Sequence, residues 1–345
     1  MELDKKDAKV VNSAIGTWEK DQKITPELAQ ELRSSISIRN SNVDTIAVYA
    51  LISAISCGLL AFGSLVIDEK WIEQLRNKWG FSESVVGVGF TVLALVFIVL
   101  AKRKKLKHGT LSASNETYNI TIALTIGIAI TYWTRTFSNF DGNYAIPLLI
   151  AAISYGLVAI LLDSKLLWLV MILTLAGWWG AQTYLWSGGN YRFAGMNYPL
   201  RMTVFGLTIW ASTLLIGKVK QLKIFEETTY TTGLILFLMA AWTLSIFGNY
   251  DDYQAWNLIK QSHFWYWSLS FTLVLAGMIA FSFQTNNDTL RDTALLFFLL
   301  NIYTRYFEYF WDRTNKGIFF ALMALSFWYV AKKAEQWRNK DRKTA

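Results

Sequence analysis

Asn301-Ile302-Tyr303-Thr304-Arg305-Tyr306-Phe307-Glu308-Tyr309-Phe310-Trp311-Asp312 closes an apolar run that opens near Ala294. At 100° per residue, Asn301, Arg305, Glu308 and Asp312 fall within an arc of about 60°. The rest of the stretch is almost wholly aromatic or aliphatic. Such a helix turns its polar stripe to protein or water and its remaining surface to lipid or packed neighbours. Nowhere else does the chain string several ionisable groups along a helix at membrane depth.

Working outward, the whole chain has the same character. It has 345 residues, 53% hydrophobic and 17% charged, with 16 Trp, 16 Tyr and 22 Phe. A soluble protein carries about 25% charged residues. The apolar residues come in blocks near 45–67, 85–101, 117–135, 145–162, 166–186, 202–217, 229–247, 265–284, 293–311 and 317–331. Short polar stretches separate them, as in a polytopic helical membrane protein. The expected fold is therefore all-α with about ten transmembrane helices. It divides into a cytoplasmic helical segment (1–43), a transmembrane domain (44–331) and a basic cytoplasmic tail (332–345).

Ten spans put both ends on one side. With the N-terminus inside, inner segments hold 16 Lys and Arg and outer segments 10. Lys102-Arg103-Lys104-Lys105-Leu106-Lys107, directly after a span, decides the orientation. Both termini are expected in the cytoplasm, in a bacterial inner membrane. The net charge of +8 then reflects positive-inside bias, and nucleic acid is not an expected partner. The hydrophilic residues 1–43 leave the first block as its own uncleaved insertion signal. The single Cys57 gives no disulfide framework or thiolate cluster.

Before the first block, Val11, Ala14, Ile15 and Trp18 form one apolar stripe, and Ile24, Leu28, Leu32 and Ile36 a second. Thr25-Pro26-Glu27 is a strong helix start. Stripes this short predict packing on each other, on the membrane domain or on a cytoplasmic protein partner. Between the first two spans, Trp71, Leu75 and Trp79 suit an interfacial helix.

Three spans end in one tripeptide, Gly142-Asn143-Tyr144, Gly189-Asn190-Tyr191 and Gly248-Asn249-Tyr250. Both Gly and Asn tolerate the left-handed backbone that stops a helix, which accounts for much of the recurrence. A further echo joins Thr134-Arg135-Thr136-Phe137 to Thr304-Arg305-Tyr306-Phe307. Four of fifteen positions agree between 131–145 and 301–315. Both spans run inside to outside, which predicts parallel outward hairpins about an axis along the membrane normal.

Trp18, Ile24-Thr25 and Ala29, ahead of Gly58 and Gly63 in the first block, resemble the start of an uncharacterised bacterial family of predicted membrane proteins. The stretch Asn301–Asp312 followed by Gly317-Ile318-Phe319-Phe320 is similar to that family's last hairpin. Gly248-Asn249-Tyr250 before Asp251-Asp252-Tyr253 resembles a related family's Gly-Asp-Tyr signature, with Asn for Asp. After the first span the uncharacterised family tends to show Asn-Trp, where this chain has Lys70-Trp71. The resemblance implies membership and architecture, and no activity.

Enzyme signatures are sparse. His108 and His263 are far apart, and there is no Gly-x-Ser-x-Gly, Walker loop or His-Glu-x-x-His. Neither cofactor nor metal is expected. Gly177-Trp178-Trp179-Gly180 reads as close helix packing. The acids Asp141, Asp251, Asp252, Glu308 and Asp312 with His263 would be needed for a membrane-embedded enzyme. Arg135 and Arg305 say more. Counting at 1.5 Å per residue places Arg305 about 20 Å from the inner boundary. Both arginines can snorkel to outer phosphates, but Arg305 also has Glu308 three residues on. Two arginines and one deep carboxylate leave a net positive, outward-facing site for an anion, lipid head group or carboxylate. The expected ligand-binding set is Arg135, Arg305, Glu308, Asn301 and Asp312. A structural or signalling subunit with a cytoplasmic partner is the competing expectation.

Overall fold

The structure is a computed structural model that describes residues 2–3, 5–35, 37–38, 82–108, 113–137, 143–250, 256–259, 261–311, 314–326, 328 and 332. The first apolar block with Cys57, the 68–81 segment with its three apolar interfacial positions, and Asp141, Asp251, Asp252 and Asp312 lie outside the described residues, as does most of the basic tail.

Apart from one two-residue parallel pairing, β1 (Glu2–Leu3) with β2 (Ser37–Ile38), the described elements are helices. They are α1 (Lys5–Lys20), α2 (Pro26–Ser34), α3 (Glu83–His108), α4 (Ala113–Thr136), α5 (Ala145–Leu162), α6 (Lys165–Trp186), α7 (Tyr198–Ile216), α8 (Glu226–Phe247), α9 (Trp265–Thr285), α10 (Asp288–Phe310) and α11 (Lys316–Ser326). Six helices are long and apolar enough to cross a membrane: α3, α5, α6, α7, α8 with its leading turn, and α9. Only 22–44% of their apolar windows is buried by protein. Apolar surface left bare on that scale needs lipid to cover it. The architecture is that of a multi-pass integral membrane protein. Helices α4 and α10 are as long but less apolar and fall outside that set.

The chain divides into two compact units, Met1–Asp141 with Ile153–Val170, and Gly142–Ala152 with Met171–Ala345. In the first, Thr25 caps α2 by accepting from Leu28 N at 3.3 Å, with Pro26 at the first helical position. Helices α1 and α2 meet through Ile15 and Ala29, both buried, and through an Arg33–Glu19 ion pair at 2.8 Å. Trp18, Leu28 and Leu32 stay exposed, so the larger members of the two stripes do not close on each other. One reason is size, since nine residues of α2 offer little area to bury. Helices α3 and α4 pack antiparallel, Gly87 lying against the Trp133 ring while Trp133 Nε1 donates to Thr91 Oγ1 at 3.1 Å. At the other end Lys105 pairs with Asp163 and donates to the Leu162 carbonyl, closing the C-terminus of α5.

The second unit is built on a tight α7–α8 contact. A Cβ on Gly206 would lie 2.4 Å from Phe237 N, and one on Gly233 2.6 Å from Trp210 N. Each glycine therefore admits the facing backbone, as small residues do in membrane helix pairs. Helices α8, α9 and α10 enclose a core of Leu234, Leu238, Phe271, Leu275, Leu290 and Phe297. Two of the Gly-Asn-Tyr tripeptides fall wholly on described residues, Gly189-Asn190-Tyr191 just after α6 and Gly248-Asn249-Tyr250 at the end of α8. Gly248 ends α8 at φ +59. Asn249 Oδ1 accepts from Asn197 N, and Asn197 Nδ2 donates to the carbonyls of Gly248 and Tyr250. Asn197 Oδ1 in turn caps α7 at Leu200 N, so one side chain ties the start of α7 to the end of α8.

Candidate functional site

Helix α10 carries the candidate site. Asn287 caps its start by accepting from Leu290 N at 3.0 Å, which sets the helix phase. From there the 3.6-residue repeat puts Asn301, Thr304, Arg305 and Glu308 on the side facing α8 and α9. Asn301 is 3% exposed, and its Nδ2 donates to Thr272 Oγ1 of α9 at 2.8 Å. One turn on, Thr304 Oγ1 accepts from Trp242 Nε1 of α8 at 2.9 Å. Arg305 and Glu308 form an ion pair at 2.5 Å, with side chains 16% and 10% exposed. Arg305 Nη2 also donates to the Ser245 carbonyl and to Ser245 Oγ, each at 3.3 Å.

Among the described residues, four polar atoms in this row have no hydrogen-bond partner: Arg305 Nε, Asn301 Oδ1 and both carboxylate oxygens of Glu308, of which Oε2 faces Arg305 Nη1 in the ion pair. Buried polar atoms nearly always find a partner in protein or ordered water. The row therefore combines a cation held by one acid, one hydroxyl and one backbone carbonyl with an unmet donor and unmet acceptors. A guanidinium with a free Nε–H can take a further oxyanion oxygen, and a free amide oxygen can accept from a ligand hydroxyl or amine.

Asn301, Arg305 and Glu308 thus share one face. Arg135 belongs to the other compact unit, in the last turn of α4, with its guanidinium 5.6 Å from the Tyr132 ring centroid. Thr134 and Thr304, the threonines of the shared Thr-Arg motif, bond back to the carbonyls of Ile130 and Leu300. Asp312 lies outside the described residues. Among the described residues, no group of three His, Cys, Asp or Glu could hold a metal ion.

Sequence reasoning missed Ser245, Thr272 and Trp242, whose partners are set by packing between helices. It also missed Arg201 on α7, which is 2% exposed. The only signal for Arg201 was a lone cation just inside a helix start, which reads as an ordinary interfacial charge.

Fold and site together define a multi-pass helical membrane protein with a charged polar row at the end of α10. No family model matches the chain, and no curated protein or solved structure matches it.

Proposed function

We propose that the chain is a ten-span protein of a bacterial cytoplasmic membrane, both termini inside, that binds or transports a small anionic or lipid-like ligand from an outward-facing cavity. Spans 3–10 form four outward hairpins. Arg305 grips the anion, Glu308 keeps Arg305 oriented while the site is empty, and Asn301 extends the polar wall one turn earlier on the same face. The observation that supports this reading is the α10 row, in which Arg305 Nε, Glu308 Oε1 and Asn301 Oδ1 are buried without hydrogen-bond partners among the described residues. Because Glu308 competes with an incoming anion for Arg305, the ligand must displace it or add at the free Nε edge.

The test is thermal unfolding of the purified protein titrated with phosphate, sulfate and short carboxylates. A stabilising ligand at 100 times its Kd contributes about 2.7 kcal/mol. The wild type is stabilised by at least one of these anions, Arg305→Met loses the response, and Glu308→Gln binds more tightly. An Arg305→Met protein that responds like wild type ends the proposal.

One observation favours a second reading, a structural or signalling subunit that docks a cytoplasmic protein. Trp18, Leu28 and Leu32 on α1 and α2 are exposed. A photoreactive residue at Trp18 would then give a discrete adduct with another protein in cells, and its absence removes this reading.

A further inference from the structure

We infer that Arg201 on α7 is a second anion site, separate from the α10 row, and that its ligand is the phosphate of a membrane lipid. The guanidinium is almost wholly covered, being 2% exposed. Its Nη1 donates to Thr183 Oγ1 at 3.1 Å and its Nη2 to the Tyr191 carbonyl at 3.3 Å. Both acceptors are neutral. Among the described residues, no carboxylate comes within ion-pair distance and Nε has no acceptor. Arg305, by contrast, has Glu308.

A buried cation without a counter-charge is costly, and helix α7 makes this one worse. Arg201 is the fourth residue of α7, so the positive end of the helix dipole faces it. The same dipole favours an anion there, and so do the free Nε–H and the unused Nη hydrogens, which present a bidentate edge. Position selects the anion. Arg201 lies about 4.5 Å along the axis from the first residue of α7. That helix is apolar enough to cross a membrane, so its first turn sits at head-group depth. Tyr191 and Tyr198 are exposed around it, as aromatic residues are at a membrane interface. The removable cover is the Tyr198 ring, 52% exposed, 5.3 Å from the guanidinium and packed over Gly180. When that ring swings out, the Nε edge opens towards the head groups.

The experiment measures retained lipid by native mass spectrometry and thermal unfolding of the full chain in nanodiscs. Phosphatidylcholine discs are compared with discs containing phosphatidylglycerol, with and without free inorganic phosphate. The wild type retains phospholipid and is stabilised by it. Arg201→Met lowers retention about tenfold, the loss of one charge-assisted contact of roughly 1.4 kcal/mol, and Arg201→Lys is intermediate because it keeps the charge without the bidentate edge. Arg291→Met, a cation at the start of α10 already paired with Asp288 and Asp292, leaves retention unchanged, which ties the loss to Arg201. Stabilisation by free phosphate in lipid-poor detergent, with no lipid retained, overturns the lipid assignment. Unchanged retention in Arg201→Met overturns the site. If Asp251→Asn or Asp252→Asn destabilises the protein as much as Arg201→Met, the counter-charge is internal and the inference is wrong.

Discussion

At the scale of single residues, the α10 row behaves as a coupled set. Arg305 and Glu308 are each largely removed from water, and each has polar atoms without a hydrogen-bond partner among the described residues. Removing one member of a buried ion pair costs about 3–5 kcal/mol, because the survivor is left uncompensated. Glu308→Ala should therefore lower the thermal stability of the detergent-extracted protein more than Glu308→Ala combined with Arg305→Met. A single change that is neutral, with a double no milder, would show that the pair is solvated and structurally idle. This row was legible in the sequence because it is local. Asn301, Arg305 and Glu308 share a face by helical repeat alone, and Thr25 declared itself a cap by its place before Pro26. Arg201 was not legible, because its burial depends on Thr183 and the Tyr191 carbonyl, which reach it from α6 and the loop after it.

At the scale of elements, the α7–α8 contact is the least tolerant of change. Gly206 and Gly233 lie against facing backbone atoms, which cannot rotate aside as a side chain can. Overpacking of this kind costs about 1–3 kcal/mol. Gly233→Ala is expected to lower the unfolding midpoint in detergent, and Gly277→Ala, where nothing lies within 4 Å, to leave it unchanged or raise it. Equal effects at the two positions would mean that α7 and α8 are not in close contact. Sequence reading placed close packing at Gly177-Trp178-Trp179-Gly180. The structure gives Gly180 a side chain, Tyr198, as neighbour, and places the backbone contact at two glycines on different helices. Isolated glycines carry no periodic signal, so pairing them requires the helix register. The apolar blocks themselves were easy to read. Each block that falls on described residues coincides wholly or in part with a helix, since a spanning segment must satisfy its backbone internally.

At the scale of the whole molecule, the proposed topology and the proposed site make separate demands. With both termini inside, alkaline phosphatase fused after Tyr250 should be active, and fused after Lys223 or at the C-terminus inactive. Reversal at any of these positions contradicts the orientation, which rests on where Lys and Arg lie between apolar blocks. The site demands that Arg305 take an anion while α10 stays packed on α8 through the Trp242–Thr304 hydrogen bond. The most direct measurement is calorimetric titration of the purified full chain with phosphate, sulfate and short carboxylates. The account predicts saturable binding of at least one anion, which Arg305→Met abolishes and Glu308→Gln tightens. Binding that Arg305→Met leaves untouched would contradict it and reduce Arg305 and Glu308 to a local pair on α10.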